Sequence, residues 1–203
     1  MARHLEFFFD LSSPWTCLAF HNLPGVLDRT GASATYRPIL VGGVFNAVNP
    51  AVYAAREQAD NRRLQHSWKV LKDWARLAGV PMNFPSQWHP AKSVQAMRFA
   101  ATLEEDQAAL LRFARAAFAS YFDRQENLDD PDVLEAVARA EGLDGAAIRT
   151  AAGTDAVKAR LRANTEEVVA RGGYGSPTMF VDGTDMYFGN DQLPLVETAL
   201  GAK

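Results

Sequence analysis

The sequence predicts an α/β fold in which strand character sits near the two ends and helix character fills the middle. Three observations carry this. Short apolar, strand-like runs occur at 5–9 and 34–40 and again at 178–181 and 186–188. From near 55 to 171 the chain is rich in Ala, Leu, Arg and Glu with almost no β-branched runs, a composition that favours helix. The order is therefore β-α-β, a block of helices, then β-β-α.

Each element has a local reason. "LEFFF" at 5–9 is bounded by Asp10 and two serines, the pattern of a strand buried on both faces. "SPWTCLAFHNLPGVLDRTG" reads as a helix with Ser13 as cap, Pro14 at the first helical position and Gly31 beyond the end. Pro24 is expected to kink or break it. "ATYRPIL" at 34–40 is a second strand, with Pro38 marking an edge or an end. A β-α-β unit this short favours a parallel pair.

In the middle, Leu64, Trp68, Leu71, Ala75 and Ala78 form a helical stripe that stops at Gly79. The proline- and aromatic-rich loop "VPMNFPSQWHP" follows, then further helical stretches, about five helices in all. Late in the chain, two short apolar runs flank Asp182-Gly183, a hairpin signal. "LPLVETAL" closes as a helix with Asp191 as its cap. This order fits a thioredoxin-like domain, residues 1–50 and 172–203, interrupted by an all-helical insertion, residues 51–171.

Composition narrows the function. A net charge of -3 and a pI near 5.8 give no nucleic-acid surface, and the Arg62–Arg63 pair reads as a solvated helix face. One cysteine excludes an intramolecular disulfide and a multi-cysteine zinc cluster. The four histidines lack ligand spacing, so no metal is expected. No run is long enough to span a membrane, and the N-terminal apolar run is too short for a signal peptide, so a cytoplasmic protein is expected.

Three stretches bear chemistry. Ser13 lies where helical N–H groups and the positive end of the dipole converge, so it either caps the helix only or also stabilises an anion such as a thiolate. Thioredoxin-like enzymes often carry a cysteine before such a proline. Here the two positions of a C-x-x-C pair hold Ser13 and Thr16, and Cys17 reads as a buried structural thiol rather than a reactive one. In "YGSPT" a cis bond at Pro177 would turn the backbone of Ser176 outward to pair with an extended peptide-like ligand. In "FGNDQL", Asn190 and Asp191 are either turn and cap residues or a receptor for an amino-acid head group.

Together "FFFDLSSPW", "PILVGGVFNAVNP", "WARLAGVPMNFP" and "GYGSPTMFVDGTDMYFGNDQL" resemble the 2-hydroxychromene-2-carboxylate isomerases and the related class kappa glutathione transferases, in the DsbA-like branch of the thioredoxin superfamily. The resemblance implies glutathione as cofactor, with the thiol arriving on the ligand rather than on the protein. It implies that Ser13 hydrogen-bonds the glutathione sulfur, that Pro177 is the cis-proline, and that Ser176 pairs with the cysteinyl backbone. It assigns Asn190 and Asp191 to the γ-glutamyl end and Asn49 to the family's asparagine turn. Trp15, Phe45, Trp88 and Tyr174 are candidate walls of an aromatic pocket. Three positions depart from the family pattern: Asn46 replaces a lysine, Gln192 an arginine, and Val70 an aspartate.

The expected activity is a glutathione-dependent cis-trans isomerisation of a small aromatic substrate in naphthalene-type breakdown, in a homodimer. A kappa-like transferase or peroxidase, and a non-catalytic glutathione- or peptide-binding module, are the alternatives.

Overall fold

A computed structural model describes residues 3–53 and 61–201. Four strands form one mixed sheet, β1 (His4–Phe9), β2 (Ser33–Pro38), β3 (Thr178–Val181) and β4 (Asp185–Phe188), in the order β2-β1-β3-β4. β1 pairs parallel with β2 and antiparallel with β3, Phe8 opposite Thr178. The first and last parts of the chain thus share one sheet. Pro38 ends an edge strand, where a missing N–H costs no ladder bond.

β1 is buried on both faces, as its apolar run predicts. Leu5, Phe7 and Phe9 face helix α1 (Pro14–Thr30), where Phe7, Phe20, Tyr36 and Phe118 form a ring cluster with centroids 5.2–6.1 Å apart in neighbouring pairs. Phe8 joins Ile39, Val44, Val168 and Phe180 on the other face. Guanidinium groups cover that second face: Arg37 lies 5.0 Å from the Phe8 ring centroid and Arg171 3.8 Å from that of Phe180. Both arginines pair with Glu6 and Glu167. The β3–β4 hairpin turns through Asp182 at φ 49° and Gly183 at φ 81°, the two left-handed residues a tight hairpin needs.

The structure corrects four expectations. Helix α1 runs unbroken through Pro24 to Thr30. Burial of Phe20 and Leu23 before the proline and Val26 after it outweighs the roughly 3 kcal/mol that an interior proline costs. The predicted strand over 34–40 stops at Pro38, and a helix α2 (Val41–Val48) follows where the sequence signals none. Two glycines and β-branched residues hide it. Its first turn is held by the Val41 N–H donated to the Asp10 carboxylate, and its Val44 is buried against Phe8.

The helical block holds six described helices rather than five: α3 (Arg62–Ala78), α4 (Val94–Thr102), α5 (Gln107–Phe122), α6 (Pro131–Ala140), α7 (Gly145–Ala152) and α8 (Asp155–Ala170). α7 and α8 are separated at Gly153–Thr154, where the Thr154 side chain caps α8. The predicted start of the block near 55 lies outside the described residues. Asp191 does not cap the last helix. It sits in a 3-10 turn, Asn190–Gln192, ahead of α9 (Leu193–Ala199), whose cap residue is Gln192.

Candidate active site

The site is built where the end of β1, the start of α1 and the turn before β3 meet. Ser13 caps α1, its Oγ accepting the Thr16 N–H at 3.2 Å and donating to the Ser176 carbonyl oxygen at 3.0 Å. Ser176–Pro177 is cis, one of three cis X-Pro bonds among the described residues, with Phe84–Pro85 and His89–Pro90. The Ser176 hydroxyl is buried, accepts the Asp10 N–H at 2.9 Å and lies 2.7 Å from Thr16 Oγ1. Residues 160 or more positions apart in sequence thus share one hydrogen-bonded cluster.

Beneath it lies Asp10, fully buried. Its Oδ1 accepts from the N–H and hydroxyl of Ser12, and its Oδ2 from the Val41 N–H and the Ser93 hydroxyl. Burial pushes the carboxyl above its ordinary value, against these four hydrogen bonds, which favour the ionised form. One carboxylate therefore ties together the Ser12–Ser13 turn, the start of α2 and the start of α4. Sequence reasoning missed it. The available signal was an acidic residue directly after three consecutive phenylalanines, a place where a carboxylate needs partners.

Beside the N-terminus of α1 opens a cleft of about 280 Å³ lined by Trp15, Val70, Trp74, Phe188, Gly189 and Asp191. Asp191 is its one charged lining side chain among the described residues. Trp74 and Val70 lie one helical turn apart on α3, beside the buried Leu71 and Ala75 stripe, so the helix faces the core with one side and the cleft with the next.

The other singled-out residues divide. Asn49, at the end of α2, donates from Nδ2 to the Tyr174 carbonyl at 3.4 Å, tying α2 to the segment that carries Ser176. Phe45 and Phe188 flank Gly175, and Tyr174 packs on Phe188 with ring centroids 4.4 Å apart. Asn190 is buried and accepts from Asn22 Nδ2 at 2.9 Å, facing α1 rather than the cleft. Gln192 accepts the Phe188 N–H at 2.8 Å, and Asn46 is exposed on α2. Trp88 is not among the cleft residues: its indole N–H donates to the Gln125 carbonyl at 3.0 Å, in a loop fastened to the end of α5 by Asn83.

Cys17 is buried on α1, and burial pushes its thiol up to about 12. It stays protonated and makes a poor nucleophile. No group of metal-ligating side chains occurs among the described residues, and no described helix is long and apolar enough to cross a membrane.

The chain is similar to known proteins over nearly all of the given sequence. A 2-hydroxychromene-2-carboxylate isomerase of Sphingobium xenophagum is 28% identical over 204 residues, covering 98% of this chain and 99% of the relative. The solved structure of a 2-hydroxychromene-2-carboxylate isomerase superposes with a TM-score of 0.81 at 26% identity, over 98% of this chain and 94% of that one. The cytosolic disulfide reductase DsbM from Pseudomonas aeruginosa, solved with GSH, shares the fold with a TM-score of 0.62 at 16% identity, over 97% and 98% of the two chains. The DSBA-like thioredoxin domain model matches residues 4–201, so the chain belongs to the DSBA-like thioredoxin-domain family.

Proposed function

We propose that the protein is a glutathione-dependent isomerase that converts 2-hydroxychromene-2-carboxylate to trans-o-hydroxybenzylidenepyruvate. The observation that carries this reading is the Ser13 hydroxyl on the cap of α1, 3.0 Å from the Ser176 carbonyl, with a single, buried cysteine in the chain. That arrangement suits a thiol brought by a ligand and leaves no protein dithiol. The full-length similarity to proteins named as this isomerase supports the same reading.

The residues present fit glutathione. The first turn of α1 offers N–H groups and a hydroxyl to a sulfur anion, and the Ser176–Pro177 turn offers a peptide edge. Asp191 offers a carboxylate to an ammonium group, and Asn190 steadies that turn from inside. When bound, glutathione supplies a thiolate that adds reversibly to the conjugated substrate, allowing a double bond to rotate. The protein's own work is to hold that sulfur as an anion through Ser13, to orient both partners, and to exclude water with Trp15, Trp74 and Phe188.

The test is turnover of 2-hydroxychromene-2-carboxylate with and without glutathione. The expected result is isomerisation that requires glutathione and consumes none. Ser13→Ala should lower turnover roughly ten- to a few hundred-fold, the equivalent of a charge-assisted hydrogen bond of about 1.5–3 kcal/mol, while glutathione affinity changes far less. Isomerisation at full rate without glutathione would refute the proposal.

One observation favours a second reading. The only charge on the described cleft lining is the negative Asp191, which gives an anionic substrate no cation. A transferase acting on a neutral electrophile would suit those walls, and net loss of free thiol during turnover identifies it.

A further inference from the structure

A second and larger cavity, about 530 Å³, lies between α1, α5 and the turn after α3. It falls within the roughly 300–1,000 Å³ typical of small-molecule sites. Cys17, Phe20, His21 and Pro24 supply the α1 wall, at the i, i+3, i+4, i+7 spacing of one helix face. At about 100° per residue that face is half a turn away from Trp15, which lines the first cleft, and the two cavities share no lining residue.

The floor is apolar. Phe20 and Phe118 meet there with ring centroids 5.3 Å apart, and the protonated Cys17 thiol adds to it. Val80 and Pro81 close a side. Pro24 has no N–H to give the Phe20 carbonyl, so that acceptor loses its usual helical partner along this wall.

The polar groups are few and arranged by sign. Arg115 and Asp123 both line the cavity from α5 and its C-cap, two helical turns or about 12 Å apart. Arg115 is exposed and makes no ion pair with a described carboxylate; its charge reaches Tyr36. A guanidinium without an ion pair to any described carboxylate, with His21 on the facing wall and Asp123 as the one described lining carboxylate two turns away, selects a molecule with an anionic head and an apolar body. We propose that this cavity is a second ligand site for a small amphipathic anion, an aryl or branched-acyl carboxylate or sulfonate, with its head at Arg115 and its body on Phe20, Phe118, Val80 and Pro81. The occupant rests on the same helix whose cap is Ser13, so it restrains the element that presents the hydroxyl.

Two fluorescent probes of one shape test this: 8-anilinonaphthalene-1-sulfonate and its uncharged counterpart, N-phenyl-1-naphthylamine. The native protein should bind both, the sulfonate at one site per chain, and saturating glutathione should not displace it. Arg115→Gln, a surface change that leaves the core intact, should weaken the sulfonate about tenfold or more and leave the neutral probe unchanged. Ala119→Leu, which fills the trough, should remove both. A naphthoate should compete with the sulfonate more strongly than naphthalene does. Equal loss of both probes in Arg115→Gln, no effect of either variant, or displacement by glutathione would overturn the proposal.

Discussion

A serine hydroxyl has one proton, and at Ser13 that proton is engaged with the Ser176 carbonyl. A sulfur anion at the helix cap therefore competes with a carbonyl for it, and taking it leaves that carbonyl ready to accept from a ligand N–H. Under the proposed function that exchange would keep the polar groups satisfied, so Ser13→Ala should change the charge on sulfur more than the affinity. Cys17 has the opposite character. Cys17→Ala is expected to cost about 1 kcal/mol in urea unfolding and to leave turnover unchanged. The native protein should not reduce insulin disulfides, since no second cysteine exists to complete the cycle. Asp10 is the more demanding residue. Asp10→Ala leaves the N–H groups of Ser12 and Val41 without their acceptor in the interior and should cost about 3 kcal/mol or more by urea unfolding.

Elements differ in how openly the sequence declares them. Ser13, Pro14 and Gly31 are read correctly because a cap is a local event, and Asp182-Gly183 because two left-handed residues define its turn. The proximity of Ser176 to Ser13 was legible through motif order and not through local pattern, since their pairing spans 163 residues. Helix α2 was illegible because its stability comes from Asp10 at its start and Phe8 beneath it, both outside the segment. The Asn190–Asn22 hydrogen bond is hidden for the same reason: its partners lie 168 residues apart. At Gly175 the constraint is close approach, since an added Cβ would lie 2.7 Å from Phe188 and 3.7 Å from Phe45. Gly175→Ala should displace the Phe188–Tyr174 pair, cost about 1–3 kcal/mol by thermal or urea unfolding, and lower turnover through the cleft wall.

Across the whole molecule, one continuous core joins the sheet to the helical block. Phe20 of α1 packs on Phe118 of α5, and the same core reaches Leu134 and Leu161. The helices are inserted in the chain but do not own a separate interior. Far-UV circular dichroism and tryptophan fluorescence should therefore report a single, coincident unfolding transition. The covered sheet face adds a pH dependence. The hydrogen bond from Arg171 holds the Glu6 carboxyl below its ordinary value, with burial opposing and Arg37 assisting. A depressed carboxylate stabilises the fold above its unfolded value of about 4.3, and that contribution is lost as pH falls through the folded value. Glu6→Gln should lower Tm at pH 7, and the difference from the native protein should close below about pH 4.

The mixed sheet also sets an order of events during synthesis. β1 leaves the ribosome before the helical block, and its antiparallel neighbour β3 follows only after that entire block has been translated. At roughly 5–20 residues per second, the 163 residues between Ser13 and Ser176 take on the order of 10–30 s. Throughout that interval one edge of Leu5–Phe8 has no strand beside it, and an apolar strand edge is what chaperones and neighbouring nascent chains bind. The hydroxyl cradle closes only when Ser176 follows the helical block, so a chain halted within that block carries the exposed strand edge of this fold without the Ser13–Ser176 contact.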